Sequence, residues 1–231
     1  MEPHPGSCDT LAAIERHMGA GWPSMPNDFW ERFGFLGVFA DYACNSLGGD
    51  LLEIGVGESS IYLSRVAKKY ARRLYHCDIS PSKIVNPLSV PGYLSDADDV
   101  TYFEERDPAP DVLKRVVAYA GTSDSLFQRV PITPLALSFI DGDHLYDQAR
   151  KDFWNVWPLT MEHGFIVLHD TYPPGPDWTD ENHCGEVYRL RKELECEPQM
   201  DCLTLTRGTA IGVGLTIVRK RAVNGPVFQD E

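Results

Sequence analysis

Nowhere in the 231-residue chain do two cysteines stand in a C-x-x-C spacing; the six, Cys8, Cys44, Cys77, Cys184, Cys196 and Cys202, are scattered. That excludes the common zinc-cluster and thioredoxin patterns and predicts free thiols, several of them buried. Basic charge is also short. Lys and Arg number 21 against 34 Asp and Glu, leaving a net charge of −13. Nucleic acid binding needs a basic surface, so it is not expected, and short pairs such as Lys68-Lys69 and Arg72-Arg73 read as solvated helix ends. A neutral or cationic small molecule suits the balance better. No apolar run approaches the roughly 18–20 residues of a membrane span. The first eight residues lack both the basic and the apolar region of a secretory signal. The expectation is a cytoplasmic, membrane-free protein with one large domain, its core drawn from the 43% of residues that are hydrophobic.

What is present centres on Leu51–Ser60, Leu-Leu-Glu-Ile-Gly-Val-Gly-Glu-Ser-Ser. Leu51, Leu52 and Ile54 read as a buried strand, which breaks at Gly55 and Gly57. A helical pattern follows through Ile61, Leu63, Val66 and Ala67. Strand, glycine turn and helix form a nucleotide-binding βα unit: the glycines let backbone approach a ligand, and the helix start offers unpaired N–H groups.

Before that unit, Leu11, Ile14 and Met18 predict a short helix ended by Gly19 and Gly21. Asn27 or Asp28 predicts the cap of a second, carrying Phe29, Trp30, Phe33, Leu36, Val38, Phe39 and Tyr42 to near Gly48. So aromatic a helix must be covered, by the core, by a substrate or by a second copy in a homo-oligomer. Beyond the unit the chain alternates strand and helix. Strands are expected at Leu74–Ile79, Arg115–Tyr119, Leu135–Ile140 and Gly164–Leu168, with helices through Phe127, Tyr146–Trp157 and Glu186–Glu195. Residues 80–112, long and rich in Pro, Gly, Ser and Asp, read as a lid or binding loop with a short strand near Val100–Phe103. Cys202–Thr206 and Ile211–Arg219 form a hairpin around Arg-Gly-Thr-Ala. The fold class is α/β: a Rossmann-like, doubly wound, mostly parallel sheet closed by a C-terminal antiparallel hairpin strand. Residues 1–48 are a helical extension, 49–221 the cofactor-binding domain and 222–231 a tail.

Ligands of such sheets bind beyond the carboxyl ends of the strands. Every expected parallel strand ends on polar groups: Glu53, Gly55, Gly57 and Ser59; Asp78; Gly121-Thr-Ser-Asp124; Asp141, Asp143 and His144; and His169-Asp170. Asp78 stands where a carboxylate accepts ribose hydroxyls, which fits either NAD or S-adenosylmethionine (SAM). Gly55-x-Gly57-x-x-Ser60 nearly satisfies the dinucleotide fingerprint, so an NAD-linked oxidoreductase is one alternative. A non-catalytic ligand-binding protein is another.

Glu53-x-Gly55-x-Gly57, Asp78, Gly121-Thr-Ser-Asp124 and the terminal hairpin together resemble the class I SAM-dependent methyltransferases over roughly residues 50–220. The resemblance implies that Gly55 and Gly57 cradle the amino-acid portion of SAM, that Asp78 binds ribose and that Ser123 and Asp124 flank adenine. It also implies that Glu53 organises the methionine end. Ser59 departs from the usual third glycine and would add a hydroxyl near the ligand.

Phe139-Ile-Asp-Gly-Asp-His-Leu-Tyr146 and Val167-Leu-His-Asp-Thr171 look like the metal-dependent small-molecule O-methyltransferases of the catechol, caffeoyl-CoA and macrolide-sugar types. By that resemblance Asp141, His169 and Asp170 are the metal ligands, with His169 where an acid or Asn is usual. Imidazole shifts the preference from Mg²⁺ toward Mn²⁺ or another transition metal. The residues leave open the simpler reading, in which Asp141 and Asp170 only bond loop backbone. His144 takes the place of the lysine that is the general base in some relatives, with His169 as rival; neutral imidazole, with a pKa of about 6.5, can accept a hydroxyl proton. The reaction expected is O-methylation of a small specialised metabolite, aromatic or sugar. Trp22, Phe29, Trp30, Tyr172 and Trp178 are candidate pocket walls.

Overall fold

The computed structural model describes residues 33–88, 99–180, 183–206 and 213–222. The helix expected around Leu11–Met18, the cap at Asn27 or Asp28, and Trp22, Phe29 and Trp30 lie outside the described residues. The aromatic helix is seen as α1, Gly34–Leu47. The chain then runs β1 (Asp50–Ile54), α2 (Ser59–Tyr70), β2 (Leu74–Asp78), α3 (Pro81–Leu88), β3 (Val100–Glu104), β4 (Val116–Ala120) and α4 (Ser123–Arg129). It continues through β5 (Leu135–Ile140), α5 (Tyr146–Val156), β6 (Thr160–His169), α6 (Val187–Leu194), β7 (Met200–Leu205) and β8 (Leu215–Lys220).

The eight strands form one sheet in the order β3-β4-β2-β1-β5-β6-β8-β7. Neighbours from β3 to β6 are parallel, and β8 lies antiparallel between β6 and β7. The Rossmann-like sheet with an antiparallel C-terminal strand is therefore the fold of the chain. The short strand expected near Val100–Phe103 is present as β3, at one edge of the sheet. Residues 80–112 are not simply a loop: they carry α3, begun by Ser80-Pro81, and the edge strand β3, paired with β4 from Val100↔Val116 to Glu104↔Ala120. Of β3 only Phe103 is buried, its ring 5.0 Å from that of Tyr119. A strand with one buried side chain leaves little alternation to read.

Helices cover both faces. Successive strand residues point to opposite sides, so Phe165 and Val167 of β6 pack toward α1 and α2, while Ile166 and Leu168 join α5 and α6. The buried face of α1 (Leu36, Ala40, Ala43 and Cys44) assigns that helix to the core. Its buried Asp41 accepts from Lys69 Nζ at 2.6 Å and Tyr70 Oη at 3.2 Å, which ties α1 to α2. Among the described residues no helix is long and apolar enough to cross a membrane, and no disulfide forms.

One topological feature positions the site. From β1 the sheet grows outward in both directions, through β2 on one side and β5 on the other. Helices following these two strands leave on opposite faces, so a crevice opens where their carboxyl ends part.

Candidate active site

Gly55 at the end of β1 and Asp141 at the end of β5 meet in that crevice. Gly55 has φ +87°, and a side chain there would run into the carbonyl group of Asp141 and come within 2.8 Å of Gly142 N. Asp141 N donates to Ile54 O at 2.8 Å, and Gly55 N to Cys77 O at 2.9 Å, so backbone bonds anchor the turn on both sides. Gly57 differs: a Cβ there meets nothing within 4 Å. The second glycine keeps space open rather than relieving a clash.

Glu53, fully buried, holds the turn from beneath. It accepts from Ser59 Oγ and Ser60 Oγ at 2.5 Å each and from His76 Nδ1 at 2.6 Å. Ser59 is 1% exposed, so its hydroxyl is taken up by Glu53 instead of standing beside a ligand. Glu53→Ala removes the acceptor of three buried donors, and the expected cost is about 3–5 kcal/mol in a urea melt. Glu53→Gln should cost less, because it keeps one acceptor oxygen.

Beyond the turn lies a cavity of about 310 Å³, whose lining includes Gly55, Asp78, Ser123, Asp124 and Asp141. Asp78 is fixed by Val56 N at 3.0 Å on one oxygen and Ser80 N at 2.8 Å on the other, which leaves a lone pair on each for a ligand. Lys83 Nζ stands 3.7 Å away. Ser123 begins α4 and donates to Asp152 Oδ1 at 2.6 Å; Asp124 pairs with Lys151. Of the cofactor residues expected from sequence, Gly55, Asp78, Ser123 and Asp124 thus surround one space, while Glu53 and Ser59 support it from behind and Gly57 keeps its own side open.

Three lining residues are absent from the sequence reading, Lys83 of α3 and Gln148 and Asp152 of α5. Asp152 is buried on the same stripe as Ala149, Phe153 and Val156. An acid at a helical core position was the available signal. Burial pushes its carboxyl up to about 6, against the hydrogen bonds from Ser123 and Gln148.

Asp141 borders a second cluster on its other side. His144 Nε2 lies 3.1 Å from Asp170 Oδ2 and 3.8 Å from Asp141 Oδ1. His169 Nδ1 lies 3.1 Å from Asp141 Oδ1 and 3.3 Å from Asp170 Oδ2. Asp170 adopts φ +56° just past β6, a conformation Asp tolerates better than most residues and one that recurs at functional sites. The loop after it shapes His144: Nδ1 donates to His183 O, and Glu186 N donates to His144 O at 2.8 Å. Gly185, at φ +55°, admits this contact, since a Cβ there would lie 2.6 Å from His144 Cβ. A carbonyl only accepts, so Nδ1 carries hydrogen and Nε2 is the nitrogen presented to the two acids.

The charges reinforce one another. Burial works against ionising Asp141, but the imidazole of His144, 3.8 Å away, and the hydrogen bond from His169 bring its carboxyl below the usual range. His144 is raised, first by the facing Asp141 carboxylate and then, against burial, by the charge of Asp170. Burial would lower His169, yet the hydrogen bonds and charges of Asp141 and Asp170 push it up to about 10. Phe33 and Phe139 close over its ring, at 5.4 and 6.3 Å between centroids. Phe33 is thus a wall of the site, whereas Tyr172 and Trp178 stand exposed on the following loop. Cys184 is a buried free thiol, which burial first, and then Asp170, push up to about 12.

Asp141, His144 and Asp170 can each offer one ligand atom within 4.8 Å of the others. Two carboxylates and an imidazole make a donor set that fits a divalent ion and suits a transition metal better than Mg²⁺.

A family profile described as a methyltransferase domain matches residues 52–171, from within β1 to just past Asp170. No curated protein matches the chain. Among solved structures, the O-methyltransferase from Bacillus cereus in complex with SAH aligns with 96% of this chain and 93% of its own at 14% identity, with a TM-score of 0.58. TomG from Streptomyces achromogenes, an O-methyltransferase involved in tomaymycin synthesis and solved with SAM, aligns over 95% and 92% at 15% identity, TM-score 0.58. The MycE methyltransferase of the mycinamycin pathway, solved with Mg and SAH, aligns over 95% of this chain and 57% of MycE at 16% identity, TM-score 0.52. At such identities the likeness is one of fold.

Proposed function

The chain belongs to the methyltransferase-domain family, and on that premise we propose that it transfers the methyl group of SAM to a hydroxyl oxygen of a small molecule. One observation carries the reading: Asp141 borders both the cavity lined by Gly55 and Asp78 and the cluster of His144, His169 and Asp170. A methyl donor in the first space would face a hydroxyl held in the second. The SAM and SAH bound to TomG and the Bacillus cereus enzyme support the choice of cofactor, and the tomaymycin and mycinamycin pathways support a specialised metabolite as substrate.

The step is an in-line displacement. The substrate oxygen forms a bond to the methyl carbon, the carbon–sulfur bond breaks with its electron pair going to sulfur, and S-adenosylhomocysteine leaves. In its neutral form, with Nδ1–H held by the His183 carbonyl and Nε2 bare, His144 takes the hydroxyl proton on Nε2, and Asp170 stabilises the resulting imidazolium; because the acids raise His144, this form grows as pH rises. Asp141 and Asp170 hold the charged His169 between them, and the rings of Phe33 and Phe139 pack against its imidazole.

A second reading is favoured by the spacing of Asp141, His144 and Asp170. These residues would hold a divalent cation, which supplies charge that acidifies a substrate hydroxyl and fixes its oxygen. Release of S-adenosylhomocysteine from SAM in the presence of a panel of phenols and sugars tests the activity; no turnover with any hydroxyl acceptor would count against it. Metal content of wild-type and His144→Ala protein separates the two roles of His144. A base leaves the bound metal unchanged, whereas a ligand takes the metal with it.

A further inference from the structure

Thr216 of β8 is fully buried, on the same face of the strand as the core residue Val218. A valine of that shape would fill the position. The threonine instead carries a hydroxyl, which is costly to bury unless it is bonded. Thr216 Oγ1 donates to Thr171 Oγ1 at 2.8 Å and meets Thr204 Oγ1, its partner across β7 and β8, at 3.0 Å. The one hydroxyl hydrogen of Thr216 is committed to Thr171, so Thr204 is the donor in the second bond. Thr171, itself fully buried, directly follows Asp170. Asp170 stands at φ +56°, a conformation that a residue other than glycine keeps only where its surroundings over-determine it. The start of β8 supplies those surroundings. Thr171 N donates to Gly214 O at 3.4 Å, and Tyr172 N to Val213 O at 2.7 Å. Gly214, at φ +86°, lets the two segments touch, since a Cβ there would lie 2.6 Å from Tyr172 N. The Asp170 carboxylate then faces His144 at 3.1 Å and His169 at 3.3 Å.

We propose that Thr216 is a positioning residue for Asp170, its buried hydroxyl bond to Thr171 holding the left-handed turn that aims the Asp170 carboxylate at the two histidines. The proposal rests on the reading above, in which Asp170 serves the acceptor end of the site. It applies whether that carboxylate supports a base or holds a cation. The β7–β8 hairpin does more than complete the sheet, because its second strand sets the geometry of the reacting end.

The test compares wild type with the double variant Thr171→Val/Thr216→Val and with Thr216→Ser. Replacing both partners of a buried hydrogen bond by apolar groups of the same shape is nearly neutral, so the double variant should melt close to wild type. Thr204 can turn its hydroxyl to Glu195 Oε1, 3.4 Å away. In NMR hydrogen exchange, the amides of Thr171 and Tyr172 should exchange about tenfold faster or more, while those along β7 and β8 stay within about threefold. Methyl transfer from SAM to the best acceptor of the phenol and sugar panel should fall roughly tenfold to a hundredfold, since a misplacement of about 1 Å is enough. S-adenosylhomocysteine affinity should stay within about threefold. Thr216→Ser keeps the hydroxyl and should match wild type in every measure. Either exchange at Thr171 and Tyr172 or transfer remaining within about threefold of wild type in the double variant would overturn the proposal. So would a loss of transfer that Thr216→Ser shares, which marks a packing role. If the double variant fails to fold, Thr216→Val alone is read by the same measures. If wild type methylates no acceptor, the O-methylation reading fails, and the exchange rates alone decide whether Thr216 holds the turn.

Discussion

Replacing Gly55 with alanine is expected to destabilise the fold by about 3 kcal/mol or more and to abolish cofactor binding. The left-handed backbone costs an L-residue about 1–2 kcal/mol, and forcing a methyl into a packed site adds about 1–3 kcal/mol. The obstacle is backbone: the carbonyl of Asp141 and Gly142 N, at 2.8 Å, belong to a strand end fixed in the sheet. No rotamer change relieves it, so β1 and β5 must part where the crevice forms. A typical domain holds about 5–15 kcal/mol of stability, so the variant should melt early in urea and remain partly folded at best. Gly57→Ala is the control. With nothing within 4 Å of the new methyl, its melt should match wild type, while SAM affinity falls about tenfold because the methyl occupies space reserved for the ligand. If Gly57→Ala binds SAM as wild type does, the second glycine has no part in ligand approach.

Asp141→Asn should lower methyl transfer by a factor on the order of 10²–10⁴ while changing S-adenosylhomocysteine affinity less than about tenfold. The amide keeps the shape of the carboxylate and can still accept from His169 Nδ1, now at 3.1 Å. What it removes is the charge that faces both imidazoles. The cofactor cavity retains Asp78, so binding should survive where turnover does not. Single-turnover rates and calorimetry on the same preparation separate the two effects. Transfer within about threefold of wild type would mean that Asp141 serves only the loop backbone.

Most of what these variants probe lies at strand ends, and that is why it could be read from sequence. A buried strand such as Leu135–Ile140 is unmistakable, and the topology of a doubly wound sheet delivers whatever follows it to the crevice. Glu53, Asp78, Asp141 and Asp170 were found in this way. The same logic was blind to groups that reach the site sideways. Asp152 approaches from the middle of α5, and only its place on the apolar stripe sets it apart. The tautomer of His144 depends on the carbonyl of His183, 39 positions away, and on Gly185. Ser59 looked like a ligand-facing hydroxyl because sequence cannot tell which way a side chain turns within a helix start; the acid six residues before it decides that. Edge strand β3 was only half visible, since one buried phenylalanine is too little pattern to separate a strand from a loop.

The central claim is that the crevice between β1 and β5 binds an adenosyl sulfonium in order to give up its methyl group. Titration calorimetry of the protein with SAM, S-adenosylhomocysteine and NAD addresses it most directly. The account predicts saturable one-to-one binding of SAM and S-adenosylhomocysteine and far weaker heats with NAD. Saturable NAD binding, with no heat from either sulfur compound, would contradict it.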